Sequence, residues 1–119
     1  MYTYKLDITS IYDGDTLNGV VDLGFNIRMD IKVRLARINT PEIRTKDLDE
    51  KARGYAARDF LRELVKNHLE EGGHFLVQTT KKGKYGRWVA ELLYDINWHS
   101  PKNINDMLVE EGHAEYKEY

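Results

Sequence analysis

Apolar and polar side chains alternate from the start of the chain, with Tyr2, Tyr4, Leu6 and Ile8 separated by Thr3, Lys5 and Asp7. A period of two marks a strand with one buried face. Asp13-Gly14-Asp15 breaks the pattern, and Thr16 to Val21 follows as a second short strand. After a turn at Asp22 to Gly24, Ile27, Met29, Ile31, Val33 and Leu35 alternate with Arg28, Asp30, Lys32 and Arg34, which predicts a long third strand. Asn39-Thr40-Pro41 ends it, because the residue before proline is held extended and proline itself has no N–H for a ladder.

The period then changes. Between about Asp47 and His68, apolar residues recur at Ala57, Phe60, Leu61, Leu64 and Val65, the three-and-four spacing of one helical face. Gly72-Gly73 stops this helix. His74 to Thr80 reads as a fourth strand, Lys81 to Gly86 as a loop, and Arg87 to Tyr94 as a fifth strand. A short helix closes the series, with Ile104, Met107 and Leu108 on its buried side, Asn103 or Ser100 as cap, and Gly112 as terminator. Three strands, a helix, two strands and a second helix is the order of an OB-fold five-stranded barrel, an α+β and mainly β architecture. With no repeat, linker or low-complexity tract, residues 1–119 are expected to form one domain.

Composition narrows the function classes. No apolar run approaches the roughly 18 residues that span a bilayer, so no membrane partner is expected. The absence of cysteine excludes disulfides, thiolate metal sites and cysteine nucleophiles. An opening without a basic and apolar leader leads us to expect a cytoplasmic protein. Net charge is only −2, so attraction to a polyanion depends on distribution. Arg28, Lys32, Arg34 and Arg37 form one basic cluster and Lys81, Lys82, Lys84 and Arg87 another.

Three short segments offer chemistry. Asp13-Gly14-Asp15-Thr16 presents carboxylates at a tight bend, a setting for a hard cation, although Asp-Gly is also an ordinary hairpin turn. In Arg34 to Glu42, an arginine near a strand end and a carboxylate past a rigid turn can converge. Glu42 then suits proton abstraction from water and Arg34 stabilisation of phosphoryl oxygens. Taken singly, Arg34 is also a surface cation and Glu42 an acidic residue before a helix. Lys84-Tyr85-Gly86-Arg87 sits at a hairpin tip, where a second guanidinium fits and where a solvated turn is the plainer reading.

The identity, order and spacing of Asp13-Gly14-Asp15-Thr16, Arg34, Thr40-Pro41-Glu42, Lys84-Tyr85-Gly86-Arg87 and the Asn105 to Gly112 helix resemble the staphylococcal nuclease family across nearly the whole chain. The compact form looks more like phage- or prophage-encoded members than like the secreted enzyme. The resemblance implies a calcium-dependent nuclease that cuts DNA or RNA to 3′-phosphate and 5′-hydroxyl ends. It implies one calcium ion held by Asp15, Asn39 and the main-chain carbonyl of Thr40, with Glu42 as general base and Arg34 and Arg87 on the phosphate. Lys84 and Tyr85 would hold a terminal phosphate, and Tyr116 would stack on a base.

Two positions depart from the family pattern. Asn39 stands where the family has a second metal-binding aspartate, and Gly83 where it has an acid before the Lys-Tyr-Gly-Arg run. One negative charge fewer predicts weak calcium binding, with a dissociation constant on the order of 10⁻⁴ to 10⁻³ M. The alternative is a non-catalytic OB-fold module that binds single-stranded DNA or RNA. A purely structural interaction domain has least support. His68, His74, His99 and His113 lack metal-ligand spacing, and Trp88 and Trp98 read as packing residues. A monomer is expected.

Overall fold

The computed structural model describes residues 2–83, 86–95 and 101–117. Strand β1 (Tyr2–Ile11) carries the first alternating run. Leu6 is buried and Tyr2 exposed, and a register shift between Ile8 and Ser10 changes the parity so that Ile11 turns inward as well. β2 (Thr16–Asp22) pairs antiparallel with β1, and β3 (Arg28–Leu35) pairs antiparallel with β2.

The β2–β3 turn lies later than the Asp22 to Gly24 signal. Its central residues are Phe25 (φ 53°) and Asn26 (φ 61°), closed by the Ile27 N–H donating to the Gly24 carbonyl at 2.9 Å. Two successive left-handed residues match the twist of a hairpin. Phenylalanine is a poor marker of that conformation, which is why Gly24 drew the turn forward. Burial on β3 is confined to Ile31, Val33 and Leu35, while Ile27 and Met29, beside the tip, are exposed.

Helix α1 (Leu48–Glu70) begins where the Asp47 side chain accepts from the N–H groups of Asp49 and Glu50, and Gly72 (φ 81°) lies just beyond its end. Its buried positions Gly54, Ala57, Leu61, Val65 and His68 keep helical spacing. His68 is packed edge-on between Phe75 and Tyr94, with Nε2 3.2 Å from the His74 carbonyl, so it is a core histidine.

β5 (His74–Lys82) pairs antiparallel with β1, and β6 (Arg87–Asp95) pairs antiparallel with β5. β6 then returns to run parallel with β3, and this contact closes the five long strands into a mixed barrel of OB type. Leu17, Val33, Leu35, Val77 and Leu92 fill it. Helix α2 (Ile104–Glu110) adds Ile104 and Leu108, and the Asn103 side chain caps it by accepting from the Asp106 N–H at 3.1 Å.

Three two-residue strands have no signal in the alternation: β4 (Ile38–Asn39), β7 (Lys102–Asn103) and β8 (Glu115–Tyr116). β7 extends the sheet beside β6, and β8 pairs with β4. Trp88 packs half-buried against the core, as expected of a packing residue. Trp98, His99 and the alternative cap Ser100 lie outside the described residues. Among the described residues no helix is long and apolar enough to cross a membrane.

Candidate functional site

The turn between β1 and β2 is organised by its own carboxylates. Asp13 Oδ1 accepts from the Asp15 N–H at 3.0 Å, and Asp15 Oδ1 accepts from the Thr16 hydroxyl at 3.2 Å. Asp15 is buried, and its main-chain carbonyl accepts from the Leu35 N–H at 2.8 Å, which fixes the turn to the end of β3. Its Oδ2 accepts from the Thr40 N–H at 3.0 Å and lies 3.3 Å from the Arg34 guanidinium. Burial, and then the neighbouring Asp15 charge, push the Asp13 carboxyl up to about 6.

Arg34 reaches this point because of register. Thr16 is its partner across the β2–β3 ladder, so Asp15 sits one residue away. The guanidinium also donates to the carbonyls of Leu35 (2.6 Å) and Ile38 (3.0 Å) and to Asn39 Oδ1 (3.4 Å). On the other side of β3, the parallel ladder sets Lys32 against Arg87 and Arg34 against Val89. Paired residues project to the same face of a sheet, so Lys32, Arg34 and Arg87 share the face opposite Val33 and Leu35. Both predicted phosphate-binding arginines therefore stand on adjacent strands and point the same way.

Thr40, Pro41 and Glu42 are held by close backbone approach to α1. A Cβ on Gly54 would come within 2.8 Å of the Pro41 and Glu42 carbonyl oxygens, so this helical position accepts only glycine at the observed spacing. Gly14 is similarly confined, since a Cβ there would lie 2.8 Å from Ala57 Cβ and 2.9 Å from Thr40 Cγ2. Helix α1 thereby clamps the Asp13–Asp15 turn and the Thr40–Glu42 turn together. Glu42 is exposed, and its N–H donates to Glu50 Oε1 at 3.3 Å.

The C-terminal strand completes this side. In the β4–β8 pairing Glu115 faces Asn39 and Tyr116 faces Ile38. The exposed Tyr116 ring lies beneath the Arg37 guanidinium, 5.8 Å from centroid to Cζ. Its hydroxyl donates to Asp106 at 2.9 Å, and this bond raises its pKa from the ordinary value. Arg37 (φ 66°) is bonded to Glu91 and lies 3.0 Å from Asp106, and these carboxylates, Glu91 foremost, hold its proton more firmly.

Sequence reasoning missed the support beneath this corner. Asn105 is fully buried: its Oδ1 accepts from the Leu92 N–H at 3.1 Å, while Nδ2 donates to the Ala36 carbonyl at 2.9 Å and to Glu91 Oε2 at 3.2 Å. One asparagine thus joins α2, β6 and the β3–β4 turn. A polar residue in the first turn of a helix looks like solvent-facing decoration, and nothing local distinguishes it.

The fold thus gathers Asp15, Arg34, Asn39 and Thr40 into direct contact, sets Arg87 on the same face, and pairs Tyr116 with Ile38 through β8, its ring against Arg37 and its hydroxyl on Asp106. Lys84 and Tyr85 lie outside the described residues. Among the described residues no three histidine, cysteine, aspartate or glutamate side chains form a metal cluster. The available donors are all oxygens, from the Asp13 and Asp15 carboxylates, the Asn39 amide and the Thr40 main chain. They suit a hard cation, whose charge would favour the ionised form of Asp13 that burial, and then the neighbouring Asp15 charge, oppose.

No curated protein matches the chain. The family model described as staphylococcal nuclease homologue matches residues 32–119. That span contains Arg34, Asn39, Thr40, Glu42, Arg87 and Tyr116, while the Asp13–Asp15 turn lies before it and is joined to it by the β2–β3 ladder and the Asp15–Thr40 bond. With the matched span taking in most of the chain and the barrel closed as described, the chain belongs to the staphylococcal nuclease family.

Proposed function

We propose that the protein is a calcium-dependent nuclease that hydrolyses phosphodiester bonds of single-stranded DNA or RNA and leaves 3′-phosphate and 5′-hydroxyl ends. The observation that carries this reading is the β3–β6 register, which gives Arg34 and Arg87 a common face beside the Asp15–Asn39–Thr40 cluster. The two guanidiniums donate hydrogen bonds to phosphoryl oxygens, where charge grows in the transition state. The exposed Glu42 carboxylate takes a proton as the water oxygen bonds to phosphorus. The bond from phosphorus to the 5′ oxygen breaks, and that oxygen takes a proton from solvent.

Asp15, Asn39 and the Thr40 carbonyl would hold the ion, with Asp13 adjoining. Bound there, it would supply Lewis-acid neutralisation of phosphate charge. With a single carboxylate in the ligand set, its dissociation constant is expected on the order of 10⁻⁴ to 10⁻³ M.

One observation favours a non-catalytic, strand-binding barrel as a second reading. Arg34 lies 3.3 Å from Asp15 and 3.4 Å from Asn39 Oδ1, so a guanidinium already meets the two side chains assigned to the ion. The deciding experiment follows cleavage of a fluorescent single-stranded DNA across a calcium series to the millimolar range, with EDTA and Glu42→Gln as controls. Calcium-dependent cutting should fall about 10²- to 10⁴-fold in Glu42→Gln, and about 10²- to 10³-fold in Arg87→Ala. Binding without cutting at saturating calcium would sink the nuclease and leave the binding barrel.

A further inference from the structure

Four residues on one face of α1 were not used by the site: Lys51, Tyr55, Arg58 and Arg62, at intervals of four, three and four. They form one wall of a groove of about 860 Å³. Arg44, Lys46 and Tyr12 line the opposite side, and Ser10 and Asn18 contribute a polar patch in which Asn18 Nδ2 donates to Ser10 Oγ at 3.0 Å. Five cations thus face one groove, and no carboxylate lines it among the described residues. In a chain of net charge −2 this is a strong local concentration of positive charge.

Each wall pairs a guanidinium with a tyrosine ring. Arg58 Cζ lies 4.5 Å from the Tyr55 centroid and Arg44 Cζ lies 5.9 Å from that of Tyr12. The Arg62 guanidinium is set by a 2.9 Å bond to the Ile11 carbonyl, and Asp59 holds the Arg58 guanidinium at 3.0 Å. Planar rings beside fixed cations suit a ligand with alternating bases and phosphates. The groove also adjoins the candidate site along the chain: Tyr12 precedes Asp13, and Ile43 and Arg44 follow Glu42.

We propose that this groove holds the single strand flanking the bond addressed at the Asp15–Glu42 site, with phosphates against the α1 cations and bases stacked at Tyr12 and Tyr55. The inference rests on the nucleic-acid reading of that adjoining site. From Lys51 to Arg62 the helix rises about 16 Å, the length of roughly 4–5 stacked nucleotides. Substrate length, not base sequence, is then what the groove reads.

The test is fluorescence anisotropy in EDTA with labelled oligothymidylates of about 2 nucleotides, too short to span the groove, and about 16 nucleotides, across a salt series. The variant Lys51→Gln/Arg58→Gln/Arg62→Gln should weaken binding of the longer strand about tenfold and remove about 2 from the slope of log affinity against log salt, leaving the shorter strand within about twofold. Tyr12→Ala/Tyr55→Ala keeps every cation and should also weaken the longer strand by about tenfold. Thermal melts confirm folding of each variant.

Unchanged affinity and slope for the longer strand in the triple-glutamine variant would overturn the proposal. So would equal competition by inorganic polyphosphate per phosphate together with a neutral tyrosine variant, which would make the groove a general anion site. A protein that binds long strands through the groove and never cuts fails only the nuclease reading. One that cuts and is indifferent to strand length fails only this one.

Discussion

Asp13 illustrates how a single side chain registers its surroundings. Its carboxyl ordinarily titrates near 3.8, and burial and Asp15 push it up to about 6 in the fold. Between those values the folded chain binds more protons than the unfolded one, so this group's contribution to stability is greatest below about pH 4 and declines until about pH 6. Its partial exposure limits the penalty at neutral pH to on the order of 1–2 kcal/mol. Asp13→Asn, studied in EDTA, is therefore expected to gain about that much at pH 7 and almost nothing at low pH. Urea unfolding at both pH values measures it, and an equal gain at both would show that charge is not the cause.

Among the elements, α1 does more than cover the barrel. Replacing Gly54 by alanine should favour an isolated helix by about 1 kcal/mol. Here the added methyl would meet two backbone carbonyls at 2.8 Å, and overpacking of that kind costs about 1–3 kcal/mol. We expect Gly54→Ala to lower the unfolding free energy by up to about 2 kcal/mol and, on the proposed nuclease reading, to reduce turnover by displacing Glu42. A more stable, fully active variant would show that the clamp yields easily. Asn105→Ala leaves the Leu92 N–H and the Ala36 carbonyl without this side-chain partner in a buried setting. Its expected cost is about 2–3 kcal/mol, read by thermal or urea melts. The loss should loosen α2 from β6 and not touch α1.

At the scale of the whole molecule, the barrel depends on strands that lie before the segment matched by the family. β1 and β2 stand between β5 and β3, and with them go Leu6, Ile11, Leu17 and Val21 of the core. A polypeptide of residues 32–119 would leave the edges of β3 and β5 unpaired and the core open on that side. It should show no cooperative thermal transition by circular dichroism, whereas the full chain should show one. A cooperative melt from the fragment would mean that β6 and the helices suffice to organise β3.

The long strands and both helices were legible because period two and period three-to-four are local properties, written wherever one face of an element is buried. The family was legible in ordered motifs, and the resemblance drawn from them agrees with the matched family; of the residues they named, Asp15, Arg34, Asn39 and Thr40 meet in the fold and Arg87 shares the face of Arg34. Other features arise only when distant segments meet. The two-residue strands depend on partners remote in sequence, as when β8 pairs with β4. The shared face of Arg34 and Arg87 follows from a parallel register that no stretch of either strand encodes alone. Asn105 looks ordinary until three elements close around it, and the cations of α1 form a groove only once the turns before Asp13 and after Glu42 are packed beside them. Periodicity determined which residues face inward; the closing of the barrel decided which outward residues stand together, because only ladder register and helix packing fix distances between segments far apart in the chain.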